Sequence, residues 1–108
     1  MAKQVSEAFV KAFDFWKKKY EEYYKSFHPD SAHLHRSLAY KANPKNIKVI
    51  TVNHEGENES VWCFVDYEGN IYKAASWSIP ARHVRGRIDD PDHSWGQGLS
   101  WYGAAYLK

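Results

Sequence analysis

At the start of the chain the large apolar side chains fall on Val5, Phe9, Phe13, Trp16, Tyr20, Tyr23 and Phe27, three or four positions apart throughout. That spacing repeats one helical face and predicts an amphipathic helix from Val5 to Phe27. The positions between hold Lys17, Lys18, Glu21, Glu22 and Lys25, with Lys18–Glu22 and Glu21–Lys25 each four apart. The run Lys17-Lys18-Lys19 therefore reads as a solvated helix face. Pro29 disfavours helical geometry at His28, so the helix is expected to stop near Phe27.

Beyond the helix the period shortens. From His28 to Asn43 two readings stand open: Asp30-Ser31 suits the cap of a short helix carrying Leu34 and Leu38, and Leu34, Arg36, Leu38 and Tyr40 give an imperfect strand alternation. Asn43-Pro44-Lys45-Asn46 is a turn, and Ile47-Lys48-Val49-Ile50-Thr51-Val52, β-branched almost throughout, predicts a strand. The polar run His54–Glu59 joins it to a hairpin in which Val61–Val65 and Ile71–Ala75 flank Asp66-Tyr67-Glu68-Gly69-Asn70. Gly69 and Asn70 both tolerate positive φ, which suits a tight turn there. After Trp77 the chain is expected to turn at Pro80 into a surface segment holding Arg82, His83, Arg85 and Arg87. The remainder is loop-like, with Asp89-Asp90-Pro91-Asp92 followed by Gly96, Gly98 and Gly103. It also carries Trp95, Leu99, Trp101, Tyr102, Tyr106 and Leu107, too many large apolar residues for a solvated tail, so an irregular cover over the sheet or helix is expected.

Composition adjusts this picture in three ways. With 108 residues the chain is read as a single domain, 1–108, large enough for its own core. Aromatics supply much of that core, since 5 Trp, 8 Tyr and 5 Phe make up most of the large side chains and their polar tips need partners or water. Cys63 is the only cysteine, so it reads as a small buried hydrophobe and not as half of a disulfide or part of a cysteine zinc site. The formal net charge of +2 is only mildly basic. No apolar run approaches the roughly 20 residues of a spanning helix, so no membrane role is expected, and the start lacks a signal-peptide stretch. A soluble, cytoplasmic protein is the expectation.

Signatures of catalysis are absent. There is no Gly-rich phosphate loop, no Gly-x-Ser-x-Gly elbow and no Cys–His spacing that predicts a nucleophile and base. Asp66 and Glu68 flank a turn, where acids are ordinary. His28, His33 and His35, and His93 beside Asp89, Asp90 and Asp92, lack metal-ligand spacing, so no catalytic residue, metal or cofactor is assigned. The segment from Lys73 to Arg87 carries the candidate site: Lys73, Trp77, Arg82, His83, Arg85 and Arg87. If Ile71–Trp77 alternates as a strand, Lys73, Ala75 and Trp77 share a face, beside which the guanidinium groups meet phosphate or carboxylate oxygens. The competing reading makes Trp77 core and pairs the arginines with Asp89, Asp90 and Asp92 as a loop staple, and it is the heavier of the two.

The phrase Cys63-Phe64-Val65-Asp66, Gly69-Asn70-Ile71-Tyr72-Lys73-Ala74-Ala75-Ser76-Trp77, Pro80-Ala81, Val84-Arg85-Gly86 resembles a group of small bacteriophage-encoded proteins of unassigned function. The resemblance covers about residues 47 to 88 and departs from the group's pattern at Ser78 and Arg87. It implies phage origin, a compact helix-plus-sheet fold and a strand over Arg36–Ala42, and carries over no site residue.

The expected fold is α+β: a long N-terminal amphipathic helix packed on a three- or four-stranded antiparallel β-meander, with an irregular aromatic C-terminal tail. The expected function is that of a small non-enzymatic phage accessory protein that binds a host or phage macromolecule, a protein foremost, with inhibition of a host process as one outcome. The alternative is a nucleic-acid or nucleotide-binding module using the aromatic and arginine surface.

Overall fold

The computed structural model describes residues 5–27, 36–53, 55–91, 93–95, 99–100 and 103–104. Helix α1 spans Glu7–Phe27 and is followed by strands β1 (Ser37–Ala42), β2 (Asn46–Val52), β3 (Asn58–Asp66), β4 (Asn70–Ala74) and β5 (Pro80–Arg87). These five form one antiparallel meander in the order β1-β2-β3-β4-β5. Two short strands, β6 (Leu99–Ser100) and β7 (Gly103–Ala104), pair with each other, and β7 lies against β3 and β4. No helix among the described residues is long and apolar enough to cross a membrane.

The α+β expectation holds, with five strands in the main sheet where three or four were expected. β1 is the strand that the phage resemblance implied at Arg36–Ala42. The competing short helix would carry Leu34 and Leu38; Leu38 instead lies in β1, and residues 28–35 lie outside the described ones. The fifth strand is the segment expected to be an irregular surface. Its arginines fit a strand because β5 is an edge, where side chains and one backbone edge meet water, and Pro80 stands at its first residue, where a missing N–H is tolerated.

Helix α1 starts at a cap, with Ser6 Oγ accepting from the Phe9 amide at 3.1 Å. Its stripe of Phe9, Ala12, Phe13, Trp16 and Tyr20 is buried against Leu38, Ile47, Val49, Trp62, Cys63, Val65, Ile71 and Ile88. Tyr23, expected on this stripe, is instead exposed, although its ring lies 6.0 Å from Trp95. Cys63 is fully buried, and burial pushes its thiol pKa far up, as befits an inert core residue. The Trp16 indole N–H donates to His93 O at 3.1 Å, so the largest core side chain also anchors the turn that follows β5.

Alternation sends the other half of the sheet's residues to the face away from α1. Lys48, Phe64 and Tyr72 stand directly opposite one another in register across β2, β3 and β4, with Val84 next across β5, so all four share that far face. Phe64 is completely buried although no helix among the described residues covers this face.

Candidate functional site

Strand β4 ends in two hairpins of opposite character. At its start, the Asp66 carboxylate holds the β3–β4 turn: Oδ1 accepts from the Glu68 and Asn70 amides, both at 2.9 Å, and Oδ2 accepts from Asn70 Nδ2 at 3.0 Å and the Tyr72 hydroxyl at 2.9 Å. Partial burial pushes the Asp66 pKa up, but the bonds from Asn70, Tyr72 and Glu68 outweigh it and hold the carboxyl below its ordinary value. Tyr72 is shifted the other way, by burial first and then by the bond to Asp66. Gly69 has φ of +94°, which favours glycine, and a Cβ added there would meet Ile88 Cγ1 at 3.1 Å, close enough that the Ile88 side chain would have to shift. Asn70, which tolerates positive φ, does not take it; the non-glycine residues with positive φ among those described are His93 and Ser94.

A cavity of about 150 Å³ lies beside this turn, lined by Ser6, Phe9, Ile47, Asp66, Tyr67, Gly69 and Ile88. Its one carboxylate is already bonded four times and biased toward the ionised form, the opposite of a general acid waiting for substrate.

Arg87 belongs to the same closed assembly. Its Nε donates to Asp89 Oδ1 at 3.0 Å, Nη1 to Asn70 Oδ1, and Nη2 to Glu68 O at 3.2 Å, and the neighbouring carboxylate raises its pKa. The staple reading therefore describes Arg87. Among the described residues no ion pair joins Arg82 or Arg85 to Asp89 or Asp90, and Asp90 accepts from Ser94 Oγ at 2.8 Å; the expected pairing with Asp92 lies outside the described residues.

At the other end of β4 the chain reverses through Ala75–Ile79, closed by Ala75 N donating to Ile79 O at 2.8 Å and Ser76 N to the same oxygen at 3.1 Å. The strand stops at Ala74, so the alternation expected through Trp77 breaks, and Lys73 and Trp77 do not form a common platform. Lys73 points away from the Tyr72 face by alternation, whereas the Trp77 ring lies under Lys48 Nζ at 4.5 Å, on that face. The indole is 48% exposed, against the alternative that placed it in the core, and Ile79 and Val84 are exposed by 61% and 47%. Arg82 and His83 are exposed beside them, and neither they nor Arg85 has an acidic partner among the described residues. Arg85 sits where β5 carries an extra residue between its pairings to Ile71 and Tyr72, and its Nε and Nη1 are buried without a hydrogen-bond acceptor. From Gly69 to Ile88 the sequence contains no acidic residue.

All six sequence-predicted residues lie on the β4–β5 hairpin; Trp77, Arg82 and His83 are exposed there, whereas Lys73 faces away from the Trp77 ring and Arg87 is tied to Asp89, Asn70 and Glu68. The structure adds Lys48, Ile79 and Val84, which sequence reasoning missed. A signal existed for two of these: Lys48 alternates with the buried Ile47 and Val49, and Ile79 sits in the turn before Pro80.

Residues 1–106 match the model of a family of unknown function (DUF7717), and the chain belongs to that family. No curated protein and no solved structure matches it.

Proposed function

From membership in a family without an assigned role, we propose that this protein is a non-enzymatic binder that docks another protein on its β4–β5 hairpin. The carrying observation is the exposure of Trp77, Ile79 and Val84 on a hairpin that is cationic and free of acids. Large apolar side chains at a solvated tip contribute nothing to the fold in proportion to their size, and Trp with Arg at the centre of an exposed patch is the composition of an interface hot spot. The aliphatic pair favours a protein over a nucleic acid. Lys48 covers one face of the one exposed indole among the described residues, leaving one face to stack, whereas sequence-tolerant strand binders stack successive bases on several rings. The resemblance of residues 47 to 88 to phage proteins supports a finer form of this proposal, a phage-encoded accessory protein acting on a host or phage protein in the host cytoplasm.

Capture from a lysate of the cell in which the protein acts tests the proposal, using the wild-type chain and a Trp77→Ala/Ile79→Ser variant, each with and without nuclease. Protein partners that survive nuclease and are lost from the variant are expected. Partners lost to nuclease alone, or held equally by the variant, would overturn the assignment.

A further inference from the structure

Resting on the hairpin-docking proposal, we infer that the partner contributes an extended acidic segment, which adds as a sixth strand beside Ala81–Arg85, along the edge of β5 that no strand among the described residues pairs. The strand order leaves β5 at the border of the main sheet. The lower end of this border is already closed by a side chain acting as a strand would. Ser94 Oγ accepts from the Arg87 amide at 2.7 Å and lies 2.9 Å from Arg87 O, so both backbone groups of Arg87 face outward and both are occupied. Ser94 is buried and held at φ of +65° in a turn whose preceding residue, His93, bonds Ile88 O through Nδ1 at 2.7 Å. Above this plug, Arg82, His83 and Val84 are exposed in succession, as on a strand open on its face and its edge together.

Charge decides what fits there. Among the described residues Arg82 and Arg85 have no acidic partner, and the sequence from Gly69 to Ile88 holds no acid, so an arriving carboxylate supplies ion pairs that the described residues leave unmade. A second copy of the chain is a poor occupant, because its β5 would set arginines against arginines. Backbone hydrogen bonds then give affinity and alternate side chains give selectivity, the division seen when a peptide augments a sheet.

The probe is a fluorescent eight-residue peptide alternating Glu with Val, titrated into the full chain by anisotropy. Two analogues leave the protein untouched: one N-methylated at every second amide on the edge that would pair, the other on the opposite edge. Binding is expected to fall at least about tenfold, or 1.4 kcal/mol, for one methylated series and hardly for the other. It should fall by a similar factor for Arg82→Ala/Arg85→Ala, with amide shifts concentrated at Ala81–Arg85. Equal binding of both methylated peptides would overturn strand addition while leaving a cationic docking surface intact. Loss of the peptide alone, with lysate partners still dependent on Trp77, would defeat this inference and spare the docking proposal. Sedimentation showing dimers through β5, or tighter binding of an oligothymidylate than of the peptide, would overturn it in favour of those occupants.

Discussion

The two ends of β4 are a few residues apart and are built on opposite principles. The Asp66–Asn70 turn is closed by its own polar groups: one carboxylate organises four donors, Gly69 takes the positive φ, and Arg87 donates to Glu68 O across from it. At the Ala75–Ile79 turn two backbone bonds close the chain, apolar side chains stand in water, and Arg82 and Arg85 have no acidic partner among the described residues. The first end maximises local satisfaction and has nothing left to offer a ligand. The second leaves apolar area in water and its arginines without acidic partners among the described residues, and the docking proposal rests on that difference. Arginine content does not distinguish the ends, since each has arginine; what distinguishes them is whether acceptors stand nearby.

Substitutions sharpen that contrast. The largest expected effect lies beneath the closed end, where Trp16→Ala should lower unfolding free energy by about 3–5 kcal/mol by emptying the core and releasing the turn at His93. A loss near that of a surface change would detach the helix stripe from the core. Next, Gly69→Val should cost roughly 1–3 kcal/mol from backbone strain, with added crowding against Ile88. Asp66→Ala should cost about 1.5–3 kcal/mol, the scale of hydrogen bonds to a charged group. Urea denaturation measures all three.

Asp66 also fixes a pH dependence. Its folded pKa lies below the unfolded value, so its contribution is present above an unfolded pKa of about 4 and is lost as pH falls through the lower folded value. Melts between roughly pH 5 and pH 2 should show an acid limb that is shallower in Asp66→Asn. An identical limb in the variant would remove Asp66 from this role. The smallest effects belong to the open end: Ile79→Ser and Arg82→Ala should each change stability by no more than about 0.5 kcal/mol. A drop comparable to that of Asp66→Ala would erase the difference between the two turns.

The sequence displayed the closed end more fully than the open one. Helical spacing from Phe9 to Tyr20, β-branching in Ile47–Val52 and the Asp-x-x-Gly turn are local signals, and local geometry follows from them. Tyr23 misled because a stripe records which face is apolar and not how far the partner layer extends. β5 was hidden by its arginines, since an edge strand obeys the burial rules of a surface. Which arginine is stapled depends on Asn70 and Glu68 O, 17 and 19 positions from Arg87, a juxtaposition that only sheet register creates. The same holds for Lys48 over Trp77, which required the hairpin tip to fold onto the far face.

Residue-resolved amide hydrogen exchange, with and without the captured partner, tests the contrast most directly. In the free protein the amides of Asn70, Arg87 and Ile88, each bonded in the closed end, should exchange slowly, and outward-facing amides of the Ala81–Arg85 edge should exchange fast. Partner binding should slow the latter and leave the former unchanged. Uniform protection of both ends in the free protein, or new protection confined to the Asp66–Asn70 turn, would contradict the division of β4 into a structural end and a docking end.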